Sequence, residues 1–267
     1  MAQCDRSIQG ITMQHFFTAP ENINGHDIVI RGEDVNHIKN VLRMKAGEEI
    51  SVSNGVDDNE YRAEIVNIRE DEVICRLMFI KEAGVELPAE IVLFQGLPKS
   101  DKMDLIVQKA VELGASGIVP VATSRCVVKL DDKKAAQKRE RWQKIAASAA
   151  EQSKRSVIPE VSLPVSFAEA VAEAEEMSVA AIPYELAEGM AATGDFIKSL
   201  KKLAAGGHRP VAGIFIGPEG GFTEEEIKLA EEKGIKPISL GRRILRTETA
   251  GLTILSILMY ELENISG

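Results

Sequence analysis

The sequence predicts an α/β protein in which a small β-barrel precedes a larger domain built on a parallel sheet. Three observations carry this. From residue 90 onward, short apolar runs alternate with stretches of helical period, the pattern of parallel strands covered by helices on both faces. The first 84 residues instead hold short, partly alternating runs separated by turn dipeptides. Near the C-terminus, two apolar runs each stop at a glycine-marked loop and are each followed by a helix. Open α/β sheets present free N–H groups to ligands at such places.

At 267 residues the chain suffices for one large domain or two ordinary ones, and 45% apolar with 27% charged residues is the profile of a soluble globular protein. No apolar run reaches membrane-spanning length. Met1–Arg6 carries an acid and lacks an apolar signal segment, so a cytoplasmic protein with no membrane partner is expected. Cys4, Cys75 and Cys126 are odd in number and far apart, and His15, His26, His37 and His208 lack ligand spacing. Neither a disulfide framework nor a metal site is expected.

The net charge of −9 argues against a nucleic-acid partner, but the charge is uneven. Arg125 to Arg155 holds ten Lys/Arg against four Asp/Glu, and Arg242, Arg243 and Arg246 form a second cluster. Such patches can contact phosphates on an acidic protein, although a solvated helix face gives the same count.

In chain order, Asp27–Arg31, Glu49–Ser53, Tyr61–Val66 and Glu72–Leu77 read as strands, with turns at Asn24-Gly25, Asn54-Gly55 and Asp57-Asp58. Asp34–Arg43 reads as one amphipathic helix capped by Asp34. These elements make a barrel with one helix over residues 1–84. This part is acidic, with nine Lys/Arg against fifteen Asp/Glu, so any RNA contact must use a local patch such as Arg31, Lys39, Arg43 and Lys45. A structural or dimerising module accounts for it equally well.

Lys81–Pro88 marks the boundary, and residues 85–267 form the second domain. Glu90–Gln95 is a buried strand. Ser100 is placed to cap a helix with Met103, Ile106, Val107, Ala110 and Leu113 on one face, ended by Gly114. Gly117–Ala122 is the next strand, and a polar loop, Thr123–Asp132, leads to a long helix from Lys133 to about Lys154. A helix over Phe167–Glu176, a strand over Val179–Ile182 and a helix over Asp195–Ala204 follow, then the strand Gly213–Ile216. After Gly217–Gly221, Thr223 and Glu226 have the spacing of a capping box, and Gly234 suits the C-terminal end of that helix. Pro237–Leu240 stops at Gly241, and a last helix runs through Leu252, Leu255, Leu258 and Leu262.

Familiar α/β chemistries lack their marks. There is no G-x-x-x-x-G-K-S/T phosphate loop, no G-x-G-x-x-G after the first strand of the second domain, and no G-x-S-x-G elbow. The two late glycine loops have no lysine for a triphosphate; their backbone amides suit a flat, uncharged base and a ribose. Spacing alone also permits two ordinary turns.

Ile216–Phe222 followed by Leu240–Ala250 resembles the paired C-terminal motifs of the SPOUT methyltransferases. The similarity continues through Lys109–Gly114, Trp142–Ile145 and Glu151–Arg155 and reaches His37–Arg43, so it covers nearly the whole chain. Within that family it is similar to the branch that methylates N3 of uridine in 16S ribosomal RNA. The resemblance implies a trefoil knot in the C-terminal domain, a PUA-like barrel in front, a homodimer acting on 16S rRNA or the 30S subunit, and S-adenosylmethionine (S-adenosyl-L-methionine) as cofactor. Nothing in periodicity or spacing indicates a knot. One departure is Lys154, where the family often has glycine.

The resemblance places the cofactor on Ile216, Gly217, Pro218, Glu219, Gly220, Gly221, Leu240, Gly241, Ile244, Leu245, Arg246 and Ala250. Methylating N3 requires loss of its proton, so the enzyme must orient the ring and stabilise it as an anion. Arg246 is the first candidate for stabilisation. Glu248 either orients Arg246 or accepts the proton, with helix capping as the plain alternative. Gln152 and Arg155, at the end of the basic helix, and His37 and Arg43 in front are the candidate RNA contacts. Lys109 and Glu112 have the spacing of a surface ion pair. Rival readings are another SPOUT reaction such as transfer-RNA ribose 2′-O-methylation, a non-catalytic ribosome-binding protein, and, more weakly, a nucleotide hydrolase.

Overall fold

A computed structural model describes residues 13–187, 189–207 and 209–265; Met1–Arg6, Cys4 and His208 lie outside the described residues. The chain divides into two units, the first running to Val85 and taking in Lys154–Val157, the second formed by Glu86–Ser153 and everything from Ile158 on. No sequence signal marks the return of 154–157 to the first unit.

The first unit is one six-stranded sheet: β1 (His15–Phe17), β2 (Ile23–Asn24), β3 (Asp27–Arg31), β4 (Glu49–Ser53), β5 (Asn59–Ile68) and β6 (Glu72–Glu82), in the order β1-β4-β5-β6-β3-β2. β1 lies parallel to β4 and the other pairs are antiparallel. Thr18 ties the two ends together: its N–H donates to Ser53 O at 3.0 Å and its hydroxyl to Val29 O at 2.6 Å. Register shifts between Arg62 and Ala63 and between Ile65 and Asn67 bend the long β5–β6 hairpin around the core. Phe16, Ile28, Ile30, Ile38, Ile50, Ile65 and Val73 fill that core.

The helix expected over Asp34–Arg43 is broken up. Gly32 turns in the left-handed region (φ +79°) directly after β3, so α1 (Glu33–Asn36) starts early and Asp34 lies inside it rather than at its cap. A π-helical turn, His37–Val41, carries the chain on to Arg43, itself left-handed at φ +54°. The π turn keeps Ile38 buried beside α1's Val35 while the chain changes direction.

The second unit holds β7 (Glu90–Gly96), α2 (Lys102–Glu112), β8 (Gly117–Ala122), α3 (Asp132–Gln152), β9 (Glu160–Val161), β10 (Val165–Ser166), α4 (Phe167–Glu175), β11 (Val179–Pro183), α5 (Ala191–Ala205), β12 (Val211–Ile216), α6 (Glu224–Glu232), β13 (Lys236–Ile238) and α7 (Thr247–Glu263). All its strands are parallel, in the order β10-β8-β7-β12-β11-β13, with β9 beside β8. Central β7 and β12 are apolar because both their faces are covered. Phe94 and Phe215 stack across them with ring centres 4.4 Å apart, an aromatic pair worth about 1 kcal/mol beyond its area.

Two caps differ from expectation. Ser100 cannot cap α2 because its own backbone is left-handed (φ +58°); Asp101 takes the cap position without a side-chain bond. α3 starts one residue before Lys133, with Asp131 Oδ1 accepting from Lys134 N–H at 2.8 Å. It ends at Gln152, where the Ser153 hydroxyl donates back to Ala149 O at 2.7 Å. Lys154 is therefore not helical but left-handed (φ +59°), and Arg155 is not at the end of the basic helix. α5 also begins earlier than expected, at Ala191, because Thr193 is buried against the loop after β13.

Candidate active site

The strand ends of β11, β12 and β13 and the loops that follow them surround a cavity of about 380 Å³. This lies at the carboxyl side of the sheet, where chain direction leaves N–H groups free.

The first wall is the turn after β12. Gly221 N–H donates to Pro218 O at 2.9 Å, and Gly221 sits at φ +66°, a conformation open to glycine at little cost. The turn packs so closely on the end of β7 that a Cβ on Gly96 would stand 2.6 Å from Pro218 Cδ. α6 then starts with the capping box foreseen from sequence: Glu226 N–H donates to Thr223 Oγ1 at 3.2 Å and Thr223 N–H to Glu226 Oε2 at 2.9 Å. Glu226 does a second job, since its Oε1 accepts from Ser124 N–H at 2.8 Å and holds the loop after β8 against the turn.

The second wall is Ser239–Arg246. Its start is held by α5, where the Thr193 hydroxyl donates to Ser239 O at 2.7 Å. Its end is held at Thr247, whose hydroxyl donates to Gly217 O at 2.6 Å and accepts from Gln95 Nε2 at 2.8 Å. β13 is the edge strand, yet α7 begins beside the ends of β7 and β12, so this loop crosses back over β11 to the middle of the sheet.

The cavity gathers eleven of the twelve residues expected to hold a cofactor: Ile216–Glu219, Gly221, Leu240, Gly241, Ile244–Arg246 and Ala250. Gly220 points elsewhere, its carbonyl accepting from Arg125 Nη1 at 3.0 Å. Pro183, Tyr184 and Glu185, at the end of β11, also line the cavity. Residues 183–185 carry no glycine or charge pattern that would reveal them in the sequence. Arg246 lies exposed on the cavity rim in the cap position of α7.

A lysine enters the cavity after all, from α2 rather than from either loop. Lys102 Nζ is 3.1 Å from Glu219 Oε1 and 3.2 Å from Glu248 Oε2. Lys99 N–H also donates to both Glu219 oxygens at 3.2 Å. Hydrogen bonds to Glu219 and then Glu248 raise the Lys102 pKa. Burial pushes Glu219 and Glu248 up, but hydrogen bonds from their own backbone N–H groups and from Lys102 outweigh it, and both carboxyls titrate below their ordinary range. In the sequence Lys102 stands between Asp101 and Asp104 at the start of a helix, so nothing local marks it as the partner of Glu219 and Glu248.

The other expected site residues are not at the cavity. Gln152 lines a separate groove between α2 and α3. Arg155 belongs to the first unit and is 4% exposed. His37 and Arg43 are exposed on the first unit, with His37 edge-on to Phe16. Arg31, from the basic patch considered there, is paired with Glu72 at 3.1 Å. Lys109 and Glu112 form the expected ion pair at 2.8 Å. Among the described residues, no helix is long and apolar enough to cross a membrane, and no group of His, Cys, Asp and Glu is arranged to hold a metal.

Comparison with known proteins adds to this geometry. Residues 85–259 match the model of an RNA methyltransferase domain, and residues 30–78 that of an RNA methyltransferase PUA domain. The chain is 40% identical to ribosomal RNA small subunit methyltransferase E of Bacillus subtilis, over 89% of this chain and 91% of that protein. It is 30% identical to the protein of the same name from Aquifex aeolicus, over 92% and 99% respectively. The crystal structure of a ribosomal RNA small subunit methyltransferase E from Neisseria gonorrhoeae, bound to S-adenosyl methionine, superposes with a TM-score of 0.78 at 31% identity, covering 93% of this chain and 97% of that one.

Proposed function

The chain belongs to the ribosomal RNA small subunit methyltransferase E family, and from that premise we propose that it is an S-adenosylmethionine-dependent enzyme that methylates N3 of a uridine in 16S ribosomal RNA. The observation that carries this reading is the convergence of both motif loops and Arg246 on one cavity.

The residues fit the cofactor. Gly221 and Gly241 line the cavity, and a Cβ on either would meet nothing within 4 Å, so bare main chain faces open space there. Ile216, Leu240 and Leu245 supply apolar walls for an adenine, and the loop amides supply donors. When bound, S-adenosylmethionine supplies a methyl group already activated on a sulfonium. The chain's own residues then have to hold the uracil ring and favour its N3-deprotonated form. Arg246 has the chemistry to do so, because a permanently charged, planar guanidinium on the cavity rim can face the ring oxygens beside N3. Glu248 is a poor proton acceptor, because against the push of burial its own backbone N–H, and after it Lys102, hold it ionised below its ordinary range, so its role is to orient α7's first turn and Arg246. His37, Arg43 and Gln152, all exposed, remain the proposed RNA contacts, His37 and Arg43 through the exposed face of the first unit; Arg155 is too buried to be one.

The proposal includes the knot and the homodimer. The return of the chain from edge strand β13 to the middle of the sheet supports the first. Ile244 in the cavity loop and Tyr260 on α7, 88% and 66% exposed, support the second, as two large side chains that a partner copy would cover. The decisive variant is Arg246→Ala. Methyl transfer to unmethylated 30S subunits should fall at least about a hundredfold while S-adenosylhomocysteine still binds, the loss typical of removing one charge-stabilising group. A variant that retains transfer within about threefold of wild type refutes the role of Arg246.

A further inference from the structure

Lys102 stands between the two elements that form the cavity. Glu219 belongs to the turn after β12 and Glu248 to the first turn of α7, and both place an oxygen within 3.2 Å of the one ammonium. The two carboxylates are thus no more than about 6 Å apart, a spacing at which unscreened like charges raise one another's pKa. Their partners are unequal. Glu219 also receives Lys99 N–H, whereas the buried Glu248 Oε2 has Lys102 as its partner.

We propose that Lys102 is a positioning residue: it clamps Glu219 and Glu248 together, and so fixes the spacing of the β12 turn and the start of α7 that the cofactor must enter. This rests on the cofactor reading above. Without the ammonium, Glu248 keeps a buried carboxylate oxygen facing a second carboxylate. The pair then relaxes either by separating, which opens the cavity wall, or by taking up one proton, which replaces repulsion with a shared hydrogen bond. The charged groups that act on the pair are Lys102 from α2 and Arg246 from the cap of α7, while Glu185 at the end of β11 and Arg242 and Arg243 of the second wall line the same cavity. Arg246 acts on Glu248 from the exposed rim, behind Lys102 in effect, and cannot replace the ammonium between the two carboxylates.

The test is calorimetric titration with S-adenosylhomocysteine, a ligand that needs no turnover, using wild type, Lys102→Met and Lys102→Arg. Affinity is measured between about pH 5.5 and pH 8, a window in which a raised carboxyl titrates and the unperturbed ones do not. Thermal midpoints without ligand are recorded alongside. Wild type should bind with little change across the window. Lys102→Met should bind about tenfold more weakly at the upper end and regain most of that loss at the lower end, as one carboxyl protonates. Lys102→Arg should stay within about threefold of wild type throughout, because it restores the charge between the pair. The proposal is overturned if Lys102→Met binds like wild type at the upper end. It is equally overturned if that variant is weakened by the same factor at every pH while its midpoint drops, which is what a merely structural contact would do. Wild type that fails to bind the ligand at all removes the cofactor reading, and the clamp with it.

Discussion

Replacing Thr247 by valine removes one oxygen and nothing else of consequence in shape, at the point where the chain re-enters the sheet. Thr247 is buried, its hydroxyl donates to Gly217 O at 2.6 Å, and it accepts from Gln95 Nε2 at 2.8 Å. Two hydrogen bonds are lost, at about 1 kcal/mol each, and a half-buried carbonyl and a buried amide N–H are left facing methyl groups, which adds about 1–2 kcal/mol. The expected cost is therefore about 3–4 kcal/mol; valine and threonine share χ1 restriction, so helix propensity changes little. In a domain of this size that corresponds to a drop of roughly 6–16 °C in the unfolding midpoint. Urea unfolding followed at Trp142, which lies in the second unit, gives the free energy directly, because unfolding of the first unit contributes little there. Thr247→Ser keeps the oxygen and should lie within about 1 kcal/mol of wild type. A valine variant within about 0.5 kcal/mol of wild type would refute the reasoning, and would mean that the Gln95–Thr247–Gly217 chain does not hold the crossing loop in place.

Two further substitutions test single residues of the first unit. Lys154 is exposed and left-handed at φ +59°, so Lys154→Gly should stabilise the protein by about 0.5–1 kcal/mol, read as a higher urea midpoint; a lower midpoint contradicts the strain argument. Burial holds the His15 imidazole below its ordinary 6.5, against the pull of the Glu60 carboxylate. His15 is thus neutral when folded and protonates on unfolding, so its contribution is full above 6.5 and is lost as pH falls below that value. His15→Gln should flatten the fall in stability between about pH 7.5 and pH 5.5, and an unchanged slope would assign that fall to other groups.

What was legible in the sequence was local. The runs Glu90–Gln95, Gly117–Ala122 and Gly213–Ile216 are strands because continuous apolar stretches of that length suit a sheet covered on both faces. The Thr223–Glu226 capping box is a bond between near neighbours, and it formed as its spacing required. What was hidden depends on partners far along the chain. Gln95 and Thr247 meet across 152 positions, and Lys102 meets Glu219 and Glu248 from a third element. Ser100 and Asp34 have the right chemistry for caps, but the first is left-handed and the second lies behind a left-handed Gly32, and neither backbone state is written in residue type. Arg155 looked like the end of a helix rich in positive charge; Ser153 and Lys154 end that helix, and the arginine turns into the first unit.

The central claim is the identity of the methylated atom. Unmethylated 30S subunits are incubated with the purified protein and isotopically labelled S-adenosylmethionine, the 16S rRNA is digested to nucleosides, and the label is located by mass spectrometry against authentic standards. The account predicts label in 3-methyluridine with wild type and almost none with Arg246→Ala. Label in a 2′-O-methylated nucleoside, or in no nucleoside although the cofactor binds, would contradict it.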